Sequence, residues 1–566
     1  MHRWRSFAAT PTYARLSSIT VVVAPLLIFL AMDWFRGPQP ELSPPTESQT
    51  SAAGALLRVT AAFLDGREPG PPAPAEPPAG RWYVTAYPQS GGAHTTVRVE
   101  GPIDGWAAPL RQRWPGRLQV NLALDDPPGP RSGPSGFGLD VGLDGWIEHA
   151  GQVHLPVEFV LRGYRRERLA QFIDDHPGQL LRSYAWVAGP DGPLRMLRHS
   201  VDPGAITPAL LRTRCDLGGD YLARHLRPDG AYDYEWLARK AEPGPGYNLL
   251  RHAGTTYSLF QLYNFTGQER HYRAALRALD YLRDRRHYAT DDAERCYEVE
   301  GEDVKLGGAG LTLLALVEQA RAQPAAADRA WMGCLARHIV HQTHPSGDMV
   351  SYYAEPNRYR PNARRSIYYP GEALLALVRL HEIDPDPRWR ATAVRAADYL
   401  VHRRWVALGV RLTVPPDAWL LQALEELHRQ VPDPAYADYG FTIAKVMTRT
   451  QLLGERVPED LRGGAFAGGL PGVVSTGARN EALAAAAQLE RRLRPGQTFF
   501  LDRLKAGVHY ALRNQYTEPI LFGLPQPETS LGGFRSSPVM PTIRIDGVQH
   551  NLSGLIGLAG LLGKAP

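Results

Sequence analysis

The stretch Tyr247–Tyr263, YNLLRHAGTTYSLFQLY, places Arg251 and His252 in a polar turn at the head of an apolar helical run. The same layout recurs along the C-terminal two-thirds: a polar or Gly-rich entry, an apolar helix, a connector, then a more polar helix. The apolar runs fall at 249–263, 307–319, 370–382, 418–429, 477–489 and 547–562. With Arg251, Gly308, Gly371, Ala418, Asn480 and Gly547 as markers, the intervals are 57, 63, 47, 62 and 67 residues. Between and around them lie amphipathic segments at 209–225, 269–286, 328–342, 387–403, 435–450 and 501–515. Two of these, RHYRAALRALDYL at 270–282 and RWRATAVRAADYL at 388–400, read as copies of one another.

Self-similarity at the period of a helical hairpin signals a repeat architecture. An open solenoid needs polar caps at both ends. Here the last apolar run, HNLSGLIGLAGLLG at 550–563, needs cover. Ring closure supplies it, so the expected fold is mainly α, six hairpins in a closed double ring over about 205–566. On this periodicity and on its inner-helix entries, the region resembles the (α/α)6 toroid. That fold is shared by the six-hairpin glycosidases, the N-acylglucosamine 2-epimerases, the unsaturated glucuronyl hydrolases and the terpenoid cyclases. The resemblance implies a funnel at one end of the ring. It transfers no family's catalytic residue.

In such a ring the inner-helix N-termini converge on one face. With Asn248 as the first cap, Arg251 is the third helical residue and His252 follows. With Tyr369 as the third cap, Pro370 takes its favoured first position and Glu372 is third. Thr476 as the fifth cap puts Arg479 and Glu481 in the opening turns. Asp546 as the sixth cap forms a D-x-x-Q box with Gln549, and His550 follows. Closure then brings His252 and His550 to one rim. Taken singly, several of these residues have a structural explanation: a capping box satisfies backbone donors, and Glu372 suits a helix N-terminus on dipole grounds. Their convergence makes the mouth the expected site.

Candidates for acid–base work are Glu372, His252, His550, Glu481, Asp546 and Tyr369. Candidates for substrate contact are Arg251, Arg479, Trp419, Asp417 and Gln549. Tyr234 and Trp236 join them from the loop DGAYDYEW at 229–236, and Tyr353 from SGDMVSYYAEPNRYRP at 346–361. Aromatic faces suit sugar rings. Arg251, Arg364, Arg365 and Arg479 present forks matched to a uronate carboxylate. His338, His341 and His344 read as a surface helix end, with no carboxylate or Cys arranged to complete a zinc site. DDAE at 291–294 reads as a solvated turn. No nucleophile elbow, P-loop or dinucleotide fingerprint occurs, and neither a cofactor nor a metal is expected.

Upstream, Ile19–Met32 is apolar, with Arg3, Arg5 and Arg15 before it and Asp33 after. This order predicts an N-terminal transmembrane helix with the N-terminus cytoplasmic and the rest periplasmic or extracellular. No small-x-small cleavage site follows, so residues 1–36 are expected to stay as an anchor. Residues 37–52 read as a Pro/Ser/Thr/Glu-rich tether. A small α/β unit spans 53–204, with a helix at 53–65 and strands at 81–87, 94–99, 117–124, 145–149 and 153–161. Its segments GRWYVTAYPQSGG, RLQVNLALDDPP and LDVGLDGWIEHAGQVHLPVEF resemble in order those of the AMME-syndrome-region domain. That family's Leu-Arg-Gly-Cys-Ile-Gly run is replaced by TTVRVEGPID, and no function follows.

The composition, 44% apolar and 21% charged, is that of a globular protein. The isoelectric point is near 9.0, but the net charge is only +5 and the basic residues are dispersed, which argues against a nucleic-acid partner. Cys215, Cys296 and Cys334 are too few and scattered for a disulfide framework. Three functions are weighed. The first is an envelope carbohydrate-active enzyme, a glycosidase or a uronate or hexose epimerase. The second is a non-catalytic glycan- or peptide-binding module. The third is a lipid cyclase-like enzyme, for which the mouth is too charged.

Overall fold

The computed structural model describes residues 45–68, 78–89, 95–123, 144–149, 152–154, 179–197, 200–301, 303–353, 365–404, 414–454, 457, 459–466, 470–521, 524–538 and 540–563. The expected membrane helix, Arg364 and the segment 155–161 lie outside them. Among the described residues no helix is long and apolar enough to cross a membrane.

The N-terminal unit begins earlier than its composition suggests. Helix α1 (Glu47–Leu64) takes in the last residues assigned to the tether, because Thr46 and Gln49 form a reciprocal capping box. A seven-stranded antiparallel sheet follows, in the order β2-β1-β3-β6-β4-β5, with β7 also paired to β6. Its strands are β1 (Arg81–Pro88), β2 (Thr95–Arg98), β3 (Gly116–Ala123), β4 (Asp144–His149), β5 (Gln152–His154), β6 (Gln179–Gly189) and β7 (Gly192–Met196). The period of two along β1 divides its side chains between two layers. Trp82, Val84 and Ala86 pack toward α1, whereas Tyr83 and Tyr87 belong to the core of the helical ring. An Arg195–Glu459 ion pair at 3.1 Å also ties the sheet to the ring.

Among the described residues the ring has twelve α-helices. The outer set is α3 (Pro208–Arg224), α5 (Glu269–Arg283), α7 (Arg329–His341), α9 (Pro387–His402), α11 (Pro434–Thr448) and α13 (Phe499–Arg513). The inner set is α4 (Leu249–Thr266), α6 (Leu306–Ala322), α8 (Tyr369–Ile383), α10 (Ala418–Gln430), α12 (Val473–Leu493) and α14 (Ile545–Leu562). Each inner helix packs on the next, and α14 packs back on α4, so the ring closes. The inner helices are buried nearly all round; from Leu306 to Ala322, Leu311, Leu313, Leu314 and Leu316 are all essentially inaccessible. Each such leucine contributes about 1.5–3 kcal/mol.

Small residues let the inner N-termini approach closely. A methyl on Gly371 would lie 2.6 Å from the Leu420 nitrogen and 3.0 Å from Asp417 Oδ1. One on Gly307 would overlap the Glu372 carboxylate. The inter-hairpin connectors add short strands: β8 (Glu235–Leu237), β9 (Glu242–Pro243), β10 (Arg286–Tyr288), β11 (Cys296–Glu298), β12 (Val304–Lys305), β13 (Tyr352–Tyr353), β14 (Arg535–Ser537) and β15 (Met540–Arg544).

Two expectations about cysteine and histidine are corrected. Cys296 and Cys334 are bonded to one another across a Cα separation of 5.3 Å, joining β11 to α7. Their distance in sequence concealed the pairing. His338 is no surface residue: it is fully buried, with its ring 4.9 Å from that of Tyr297 and 5.1 Å from that of Tyr353. The acidic turn at 291–294 has a structural task, since Asp291 and Asp292 both pair with the buried Arg295.

Candidate functional site at the ring mouth

The helix starts decide which side chains reach the mouth. Asn248 caps α4 as expected, accepting from the Arg251 nitrogen at 2.9 Å. Tyr368, not Tyr369, precedes α8. Helix α12 starts at Val473, so Thr476 lies inside it and bonds back to the Gly472 carbonyl. Helix α14 starts at Ile545, so Asp546 is its second residue rather than its cap. The expected box with Gln549 is replaced by ion pairs from Asp546 to Arg544 at 2.6 Å and to Arg251 at 2.8 Å.

These offsets matter because successive helical residues point about 100° apart. Arg251 turns to the mouth, where it meets Asp546 and the Tyr234 hydroxyl. His252, the next residue, turns back against α5. Its Nδ1 meets the Tyr247 hydroxyl at 2.6 Å and its Nε2 accompanies the Ala278 carbonyl at 2.8 Å. Burial drives its pKa down to about 3. His252 is thus a neutral core histidine, and the expectation that it shares a cavity with His550 is overturned. On α14 the parity is reversed: Gln549 packs against Gly254 of α4, and His550 faces the mouth.

His550 is the centre of the constellation. Its Nδ1 lies 3.0 Å from Glu481 Oε2 on the neighbouring α12. Its ring lies 6.1 Å from that of Trp419. The Nε2 atom has no partner among the described residues, and the side chain is 16% exposed. Burial opposes its charge, but the Glu481 carboxylate outweighs that and raises the His550 pKa above the ordinary value. Glu481 is itself buried and leaves Oε1 without a partner.

A second group sits on α8 and α10. Asp417 caps α10, accepting from the Leu420 nitrogen at 3.1 Å, with Arg404 at 3.5 Å from its other oxygen. Burial lifts Asp417 to about 6 against the pull of Arg404. Glu372 is buried with Oε2 unpartnered; burial, then the Asp417 charge, hold it well above the carboxylate range. Two like-charged carboxyls with divergent titrations suit one proton donor and one acceptor.

Tyr368, which sequence reasoning passed over for Tyr369, is 46% exposed and feels Asp417, Arg479 and Glu372. Tyr369 instead stacks edge-on against Tyr352, with ring centres 5.6 Å apart. Trp236 and Tyr353 do not reach the mouth. The Trp236 ring packs on His225 at 4.5 Å, and Tyr353 packs on His338 and Tyr297; both face outer helices because strand residues alternate sides. A carboxyl not foreseen is Glu298, on β11. It lines a small cleft with Leu249, Leu250, Glu300, Asp303, Lys305 and Gly308, and burial lifts it to about 7. The signal was the acidic run EVEGED at 298–303, preceding an inner helix. Among the described residues no group of His, Cys, Asp or Glu is placed to hold a metal ion.

Fold and mouth together define the class: an (α/α)6 toroid with an ionisable, aromatic-walled opening. No family model and no curated protein matches the sequence. Among solved structures, the chain is similar to a D-mannose isomerase with a TM-score of 0.48 and 11% identity, over 63% of this chain and 98% of that one. It is similar to cellobiose 2-epimerase from Bacillus thermoamylovorans B4167 with a TM-score of 0.48 and 12% identity, over 62% and 99%. A third is the GH76A alpha-1,6-mannanase from Salegentibacter sp. HEL1_6, with a TM-score of 0.45 and 12% identity, over 62% and 99%.

Proposed function

We propose that the chain is a carbohydrate-active enzyme working by proton transfer at the ring mouth. The observation that carries this reading is the His550–Glu481 pair, which fixes one imidazole nitrogen and leaves the other facing the opening. A carboxylate that orients and charges a histidine is a recurrent arrangement for general acid–base work. The Glu481 carboxylate favours the protonated imidazole against its burial, so Nε2–H donates to the bound sugar and the resulting base takes a proton back. The half-exposed Tyr368 supplies a face for a sugar ring, Trp419 is buried with its ring 6.1 Å from that of His550, and Arg251 with Asp546 and Tyr234 forms a polar wall.

Epimerisation or isomerisation is favoured, because the accessible titrating atom is an imidazole nitrogen while Glu372, Asp417 and Glu481 are recessed. Glycoside hydrolysis is the second reading, favoured by the split titrations of Glu372 and Asp417. Incubating the protein with a panel of hexoses and oligosaccharides in heavy water separates them. Deuterium at a sugar carbon supports epimerisation, and new reducing ends without exchange support hydrolysis. Glycan binding with neither would leave a binding module and sink the enzymatic reading.

The same proposal sets the ring outside the cytoplasm on an anchor at 19–32. The charge order around that run and the Cys296–Cys334 bond, of a kind that persists in oxidising compartments, support it. An alkaline phosphatase reporter fused after residue 44 should be active; an inactive fusion made at normal level counts against it.

A further inference from the structure

Among the described residues, the mouth gathers more cations than its own carboxylates neutralise. Arg404 lies beside Asp417 and donates to the Ile367 carbonyl at 2.6 Å. Arg251 and Arg544 share Asp546. The His550 imidazole has Glu481. Arg365, one turn of chain before α8, is held by Asp348 through two bonds of 2.6 Å. Glu372 makes no ion pair among the described residues, and burial, then the Asp417 charge, disfavour its ionised form.

Arg479 is left over. It projects from α12 toward Tyr368, and its one hydrogen bond among the described residues runs from Nη1 to the Ser475 carbonyl of its own helix at 3.1 Å. Its Nε is shut off from solvent with no acceptor. A guanidinium so placed keeps a full charge in a partly desolvated wall without an anion, an arrangement that costs stability unless a ligand completes it. Burial accordingly lowers the Arg479 pKa.

Resting on the carbohydrate reading above, we propose that Arg479 recognises a carboxylate on the bound saccharide, making the substrate class an acidic, uronate-type glycan. A carboxylate offers two coplanar oxygens to the guanidinium fork, a match a lysine ammonium cannot make. Tyr368, 46% exposed and near enough to feel the Arg479 charge, offers a hydroxyl and a ring for the same sugar unit. The proposal separates two tasks at the mouth: proton transfer at His550 and charge recognition at Arg479.

The test is calorimetric titration of the full chain with four probes. These are trimers of mannuronate and galacturonate, the carboxyl-reduced mannose trimer, and a neutral trisaccharide carrying one sulfate ester. At least one uronate trimer should bind at least tenfold more tightly than the reduced trimer. Arg479→Gln should erase that preference while leaving affinity for the reduced trimer within twofold. Arg479→Lys should retain part of it, and melting curves of both variants confirm the fold. Equal binding of uronate and reduced trimers overturns the assignment, as does a preference that survives Arg479→Gln. Tighter binding of the sulfated sugar than of either uronate overturns the choice of carboxylate. Failure of every saccharide to bind strikes the carbohydrate reading itself, a result distinct from the loss of charge preference alone.

Discussion

At the scale of single residues, His252 and His550 show how one position along a helix separates core from site. Both stand near the start of an inner helix, yet one has both ring nitrogens committed to the core and the other keeps Nε2 open. Removing the charge that raises His550 has a definite sign. Glu481→Gln lowers the pKa of His550, so the alkaline limb of the rate profile moves to lower pH and turnover falls by about 10–100-fold. An unmoved limb in that variant contradicts the dyad. Glu298 gives a stability prediction of opposite character. Its folded pKa, about 7, lies above the ordinary 4.5, so the fold holds a proton that the unfolded chain releases between those values. Its penalty is absent below pH 4.5 and complete above pH 7, on the order of 3 kcal/mol. Glu298→Gln should therefore raise the melting temperature at pH 8 and leave it nearly unchanged at pH 4.5. An equal effect at both pH values contradicts that account.

At the scale of elements, periodicity made the helices legible and left their starting residues open. Every expected inner and outer helix is present, because apolar spacing reports burial directly. The starts of α12 and α14 moved by four and two residues, since Thr476 and Asp546 carry the chemistry of caps but take their bonds elsewhere. Trp236 and Tyr353 were misplaced for a related reason: composition marks a loop as aromatic but does not say which face a strand residue takes. The far end of the inner ring holds a buried ionic knot that no local pattern announces. Arg379 of α8 pairs with Glu426 of α10 at 2.7 Å and with Glu318 of α6 at 3.3 Å, and donates to the Tyr257 hydroxyl of α4 at 2.9 Å. Arg379→Met strands the buried Glu426 carboxylate, while Glu318 keeps Arg321 at 2.7 Å, and should cost about 3–5 kcal/mol in urea unfolding. Adding Glu426→Leu should recover part of that loss; no recovery contradicts a coupled knot.

At the scale of the whole molecule, ring closure was legible because the last helix was too apolar to remain uncovered. The sheet was read in part. The paired strands β6 and β7 went unassigned, and the burial of both sheet faces, one under α1 and one on the ring, is a tertiary fact. The Cys296–Cys334 bond is likewise tertiary, closing a sequence separation of 38 residues beside the approach to α6 and α8. Closing a loop of that length contributes about 4 kcal/mol in the chain-entropy model. Reduction, or Cys334→Ser, should lower unfolding stability by roughly that amount, and an unchanged urea midpoint under reductant contradicts the bond's structural role. The central claim is that the mouth around His550, and not the helix start at His252, performs the chemistry. Turnover of whichever saccharide in the panel is converted, measured for His550→Gln and His252→Gln per folded molecule, tests it most directly. The account predicts a loss of about 100-fold or more for His550→Gln, with His252→Gln less stable but near wild-type in rate. Full activity in His550→Gln, or its loss in a folded His252→Gln, would contradict it.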